Sequence, residues 1–140
     1  MAGTDKPAAV ELRIPCTPEF VGVARLTILG VASRMPFSYD EVEDVRLAIG
    51  EACTTAVERA KKTDKAESEI IIRSIILDNK LTIEIEDHAG HLDQQDAQEE
   101  SPENIDEQSL GALLMELLVD EFRSESTADG TLVKMAKYAG

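Results

Sequence analysis

The sequence predicts a two-layer α/β (α+β) sandwich built on one mixed, mostly antiparallel sheet, and three observations carry that expectation. Runs that alternate apolar and polar residues fall into one early strand and two later hairpins, with long helical patterns between them. At 140 residues the chain suffices for one compact domain with a single core and is too short for two of ordinary size. Trp is absent and aromatic residues make up 4% of the chain, so the core must be built from Ile, Leu, Val and Ala.

Residues 1–9 read as a disordered amino terminus and 10–140 as the single domain. Residues 10–14 alternate in polarity and form a first strand closed by Pro15. Thr17 is a helix cap with Pro18 at the first helical position, and that helix runs to about Arg34, before Pro36. Ser38 and Glu41 have the spacing of a capping box, and Asp40, Glu41, Glu43 and Asp44 crowd the positive end of the helix dipole. This second helix ends near Lys61 and Lys62, cations suited to the negative end. Residues 68–77 and 81–86 are β-branched runs joined through Asp78, Asn79 and Lys80, a hairpin composition. Residues 91–109 dissolve into Asp, Gln and Glu, the composition of a loop without packed structure. A third helix over 110–120 precedes strands at 121–126 and 131–138, joined through Ala128, Asp129 and Gly130.

Three stretches carry polar chemistry. On the second helix, Val45, Ala48, Ile49, Ala52, Cys53, Ala56, Val57 and Ala60 share one side, while Glu51, Thr55, Glu58, Arg59 and Lys62 form an adjoining polar stripe. Such a stripe suits either a ligand or water. Some thirty residues on, the run ending Ile83-Glu84-Ile85-Glu86 leads into Asp87-His88-Ala89-Gly90. A carboxylate at the end of a buried strand needs a donor, from a ligand or from the turn that it caps. The third stretch is Ser109-Leu110-Gly111-Ala112-Leu113-Leu114-Met115-Glu116.

In order and spacing these three resemble the N box, G1 box and G2 box of the GHKL ATPase superfamily. Within it, the chain resembles the bacterial anti-sigma factors that are also serine-protein kinases, the switch proteins of partner-switching systems in general stress and sporulation. The resemblance runs from about Val10 to Tyr138. Its most specific patches are Pro18-Glu19-Phe20-Val21-Gly22-Val23-Ala24-Arg25-Leu26-Thr27, Gly30-Val31-Ala32-Ser33-Arg34-Met35, Tyr39-Asp40-Glu41-Val42-Glu43-Asp44 and Glu51-Ala52-Cys53-Thr54.

The resemblance implies the Bergerat ATP-binding fold, ATP/ADP and Mg²⁺ as cofactors, a sigma factor and an anti-anti-sigma factor as partners, and a homodimer. Residue by residue, it makes Glu51 the general base toward a substrate serine, or the group that positions that serine. Thr55 stands where the family carries the asparagine that holds Mg²⁺; its hydroxyl is a weak Mg²⁺ candidate, shorter than an amide. Arg59 and Lys62 stand on the phosphate side. Asp87 accepts the exocyclic amine of adenine. The glycine expected after it is Ala89, with Gly90 displaced by one. Gly111 preserves one glycine of the G2 box, beside the departures Ser109 and Ala112, and residues 91–109 are the ATP lid. That lid carries Asp93, Asp96, Glu99, Glu100, Glu103, Asp106 and Glu107, charges that oppose a polyphosphate when it closes.

Two functional classes follow. One is an anti-sigma factor that sequesters a sigma factor and, as an ATP-dependent kinase, phosphorylates its anti-anti-sigma antagonist. The alternative is a degenerate module of the same fold that regulates by protein binding alone, favoured by Thr55, Ala89, Ser109 and the acidic lid. A standalone ATP hydrolase has little in its favour. Twenty-eight acids against fourteen bases give a net charge of −14, a surface that repels the phosphate backbone of nucleic acid and suits a basic protein partner. No window reaches the roughly 18–20 apolar residues of a membrane span, and the amino terminus lacks a signal-peptide pattern, so a cytoplasmic protein is expected. Cys16 and Cys53 read as small buried hydrophobes, and neither they nor His88 and His91 have metal-ligand spacing.

Overall fold

The computed structural model describes residues 7–91 and 107–140. Its elements are β1 (Ala8–Pro15), a 3₁₀ turn (Pro18–Phe20), α1 (Val21–Ala32), α2 (Tyr39–Lys62), β2 (Glu69–Ile76), β3 (Lys80–Asp87), α3 (Glu107–Leu118), β4 (Glu121–Ser126) and β5 (Thr131–Tyr138). The strands form one sheet in the order β1-β2-β3-β5-β4. All four pairings are antiparallel. The expected two-layer α+β sandwich is therefore present, but among the described residues no parallel pair makes the sheet mixed.

The helices lie over one face of the sheet. Ile14, Ile70, Ile72, Leu81, Ile83, Ile85, Val133 and Met135 meet α1 and α2 residues such as Ala24, Ile28, Val45, Ile49, Cys53 and Val57 in one aliphatic core. On the opposite face Arg73 donates to Glu11 at 3.2 Å and to Glu86 at 3.0 Å, which ties β1, β2 and β3 together by charge. β3 alternates strictly, with Leu81, Ile83, Ile85 and Asp87 buried and the intervening side chains half-buried. The pleat that sends three aliphatic side chains to the core thus sends the terminal carboxylate the same way.

Several boundaries differ from expectation. β1 begins at Ala8 rather than Val10, because its partner β2 extends to Ile76, which pairs with Ala8. Pro18 opens a 3₁₀ turn and not α1, and Thr17 has the extended backbone of a cap but makes no capping bond. α1 stops at Ala32, where Ser33 donates its hydroxyl to the Gly30 carbonyl at 2.8 Å. The capping box of α2 forms in full: Glu41 N–H donates to Ser38 Oγ at 3.1 Å, and Ser38 N–H donates to Glu41 Oε1 at 2.8 Å. α3 begins at Glu107, three residues earlier than its apolar pattern suggested.

Candidate functional site

Two adjoining hollows lie between α2, α3 and the sheet. The inner one, about 360 Å³, is lined by Ala52, Thr55, Arg59, Ile85, Asp87, His91, Ala112, Met115, Phe122, Ser124, Ser126, Thr131 and Val133. The outer one, about 320 Å³, is lined by Glu51, Thr54, Thr55, Glu58, Leu110, Gly111 and Leu114. Thr55 borders both. Glu51 and Asp87 therefore do not share a single cavity; they line two that meet at Thr55. The inner volume lies within the roughly 300–1,000 Å³ of small-molecule sites, and its walls of Ile85, Met115, Phe122 and Val133 suit a flat heteroaromatic ring.

At the inner end Asp87 is 3% exposed and Arg59 8%. Arg59 Nη1 donates to both Asp87 oxygens at 2.9 Å, and Ala89 N–H donates to Oδ1 at 3.0 Å. The carboxylate is thus both ion-paired and used as a turn cap. Arg59, expected to stand with Lys62 on the phosphate side, is instead engaged with Asp87. Seven residues separate it from Ala52, so on the helical wheel it falls about 20° from that buried alanine and turns inward. Lys62, in the last turn, is exposed and lines neither hollow.

The turn after β3 is held tightly. Gly90 has φ +77°, so the left-handed position that the glycine of this motif supplies is met one residue later than the family spacing, while Ala89 is fully buried. Gly90 N–H donates to the Asp129 carbonyl at 2.8 Å, and Thr63 Oγ1 donates to the Ala89 carbonyl at 2.5 Å. From the β4–β5 turn, Gly130 presses on the back of Asp87: a Cβ there would stand 1.9 Å from the Asp87 carbonyl oxygen and 2.8 Å from Oδ1. Gly130, Met115, Phe122 and Thr131 are site residues that sequence reasoning missed. Gly130 was legible as a turn glycine, but nothing local said which carboxylate it would touch.

At the outer hollow Thr55 Oγ1 donates to Glu51 Oε2 at 3.3 Å. Gly111 sits against the same carboxylate, since a Cβ on it would lie 2.9 Å from Glu51 Oε2. Because α3 begins at Glu107, Gly111 falls in the second turn, where its N–H belongs to the helical ladder. Gly111 therefore has no free helix-end N–H to offer an anion; what it provides is closeness to Glu51. Two carboxylates, Glu51 and Glu58, line this hollow with no Lys or Arg among its described residues. The acidic lid lies outside the described residues over 92–106, and the described residues contain no cluster of three or more His, Cys, Asp or Glu able to hold a metal.

Other titrating groups stand apart from the two carboxylates. His88 lies 2.8 Å from Asp129 through Nδ1 and 2.9 Å from Glu86 through Nε2. The hydrogen bond that His88 donates to the Asp129 carboxylate is the main cause that lifts His88 above its ordinary pKa. Both cysteines are free and buried, and burial pushes the Cys53 thiol up to about 12. No described helix is long and apolar enough to cross a membrane.

Residues 14–137 match a family model described as a histidine kinase-like ATPase domain. The chain is 41% identical over 137 residues to the serine-protein kinase RsbW of Bacillus subtilis, covering 92% of this chain and 84% of the relative. The RsbW kinase of Bacillus licheniformis is 39% identical with the same shares, and that of Oceanobacillus iheyensis 36%, over 92% and 85%. Among solved structures, the RsbU and RsbW domains of Rv1364c from Mycobacterium tuberculosis share the fold. That match has a TM-score of 0.67 and 20% identity, and it spans 92% of this chain and 32% of that one.

Proposed function

Because the chain belongs to the histidine kinase-like ATPase family, we propose that it is an anti-sigma factor and ATP-dependent serine-protein kinase. In this reading it sequesters a sigma factor and phosphorylates that factor's anti-anti-sigma antagonist. The observation that carries the reading is the pair of hollows meeting at Thr55: a slot of mixed polarity that holds Asp87 beside Ile85, Met115, Phe122 and Val133, and next to it a space faced by Glu51. Asp87 accepts from the amine of adenine in the inner hollow. The triphosphate then extends past Thr55 toward Glu51, whose carboxylate takes the proton of the antagonist's serine. The serine oxygen forms a bond to the terminal phosphorus, the bond from that phosphorus to the bridging oxygen breaks, and ADP leaves.

The outer hollow also supports a role for Mg²⁺. With Glu51 and Glu58 on its wall and no described cation, a polyphosphate there needs its charge neutralised, which Mg²⁺ supplies when bound. Thr55 Oγ1, at the junction of the two hollows, would be a neutral protein ligand for it, with phosphates and water supplying most of the others. The single domain includes β1 from Ala8, acts in the cytoplasm and works as a homodimer. The degenerate binding module is the less favoured reading: the slot is open, Gly90 retains the left-handed turn, and the curated relatives are named as kinases.

The test is direct. Mg-ATP added with the cognate antagonist should phosphorylate one serine, and Glu51→Ala should stop the transfer. No transfer at saturating ATP would defeat kinase function. Independently, ATP at a hundredfold excess over its dissociation constant should stabilise the fold by about 2.7 kcal/mol.

A further inference from the structure

The Asp87 carboxylate is more fully engaged than a lone base-reading group would be. A carboxylate has about four acceptor sites. Among the described residues, Arg59 Nη1 uses one on each oxygen and Ala89 N–H a second on Oδ1. That leaves one site, on Oδ2. The three bonds are not easily surrendered: both side chains are nearly buried and charge-assisted, and the Ala89 donor is backbone in a turn pinned by Thr63 and Gly90. Asp87 and Arg59 both line the inner hollow, so a ring entering it meets the remaining acceptor with a guanidinium alongside.

We propose that Arg59 is a specificity-determining residue: by holding both oxygens of Asp87 it leaves the carboxylate room for a single N–H from a nucleobase, which selects adenine over guanine. The proposal rests on the reading of the inner hollow as the base site. Adenine needs one acceptor, for one hydrogen of its amino group. Guanine brings two adjacent donors, N1–H and the 2-amino group, and a carboxylate reads them with both oxygens. With one site left, one guanine donor is buried unpaired, a loss of roughly tenfold or more in affinity. Hypoxanthine has the N1–H of guanine without the 2-amino group, so it asks for one acceptor like adenine. Its exocyclic 6-oxo oxygen can also accept from Arg59.

The test compares equilibrium binding of ATP, inosine triphosphate and GTP to the full chain by calorimetry, with Mg²⁺ present. On the unaltered protein, inosine triphosphate should bind at least about tenfold more tightly than GTP. Arg59→Met leaves no side-chain donor at the carboxylate and should shrink that gap severalfold, whereas Arg59→Lys keeps a cation there and should preserve it. Equal affinity for inosine triphosphate and GTP overturns the proposal while tight ATP binding leaves the nucleotide site standing; so does an undiminished gap in a folded Arg59→Met. Binding of none of the three nucleotides overturns the base-site reading and this proposal with it. Should Arg59→Met fail to fold because a buried carboxylate loses its cation, the comparison on the unaltered protein decides alone.

Discussion

Gly130→Ala should be destabilising out of proportion to the one methyl that it adds. The new Cβ would lie 1.9 Å from the Asp87 carbonyl oxygen, 2.7 Å from its carbon and 2.8 Å from Oδ1. The obstacle is mainly backbone, and it cannot rotate away. The β4–β5 hairpin cannot retreat cheaply either, because Thr131, the next residue, pairs with Asp87 in the β3–β5 ladder and Gly130 accepts from Thr127 N–H at 2.9 Å to close the turn. Overpacking of this kind costs about 1–3 kcal/mol, which for a domain of this size lowers Tm by roughly 3–12 °C. Gly30→Ala is the internal control. Gly30 lies in α1 with nothing within 4 Å of its missing Cβ, so alanine should stabilise by about 0.5–1 kcal/mol through helix propensity. The assay is thermal unfolding followed by circular dichroism, paired with ATP titration, since the displaced carboxylate should also weaken nucleotide binding. Gly130→Ala melting with the unaltered protein would refute the close approach and the rigidity assigned to this corner.

Other expected outcomes follow from the same geometry. Thr55→Asn should tighten Mg-ATP binding or speed phosphoryl transfer, because the longer amide reaches further into the junction of the two hollows; calorimetry showing no gain would place the limit elsewhere. His88 is raised by Asp129 first and Glu86 after it, so the stability it contributes is fully present below its ordinary value of about 6.5 and is lost as pH rises through the raised folded-state value. The melting difference between the unaltered protein and His88→Gln should therefore be larger near about pH 5.5 than near about pH 9, and a pH-independent difference would exclude the linkage. Burial holds both thiols protonated, Cys53 up to about 12, so a thiol-specific disulfide reagent should leave the native protein unmodified at about pH 8 and label both cysteines once it is denatured. Rapid native labelling would contradict the packing around Cys16 and Cys53.

What the sequence disclosed and what it hid divide along physical lines. Local signals held at the Ser38–Glu41 box, the two hairpins, and the alternation that turns Asp87 inward with Leu81, Ile83 and Ile85, while the Thr17–Pro18 signal opened a 3₁₀ turn in place of α1. The location of Arg59 was also present in the pattern, since its angle on α2 coincides with that of Ala52, but its charge led it to be grouped with Glu51 and Lys62. Charge is a poor guide there because a guanidinium can go inward when a carboxylate waits for it. Removing one member of such a buried pair typically costs about 3–5 kcal/mol. The Gly130 contact was hidden for a different reason: it joins residues 43 apart through a turn whose position depends on the whole sheet, and no window contains both. The site's two most constrained features, the occupied carboxylate and the glycine behind it, are thus consequences of strand register and helix phase together. The fold has already assigned most of the bonding capacity of Asp87 to Arg59 and Ala89, and the proposed base selectivity therefore depends on these two donors as much as on the carboxylate they hold.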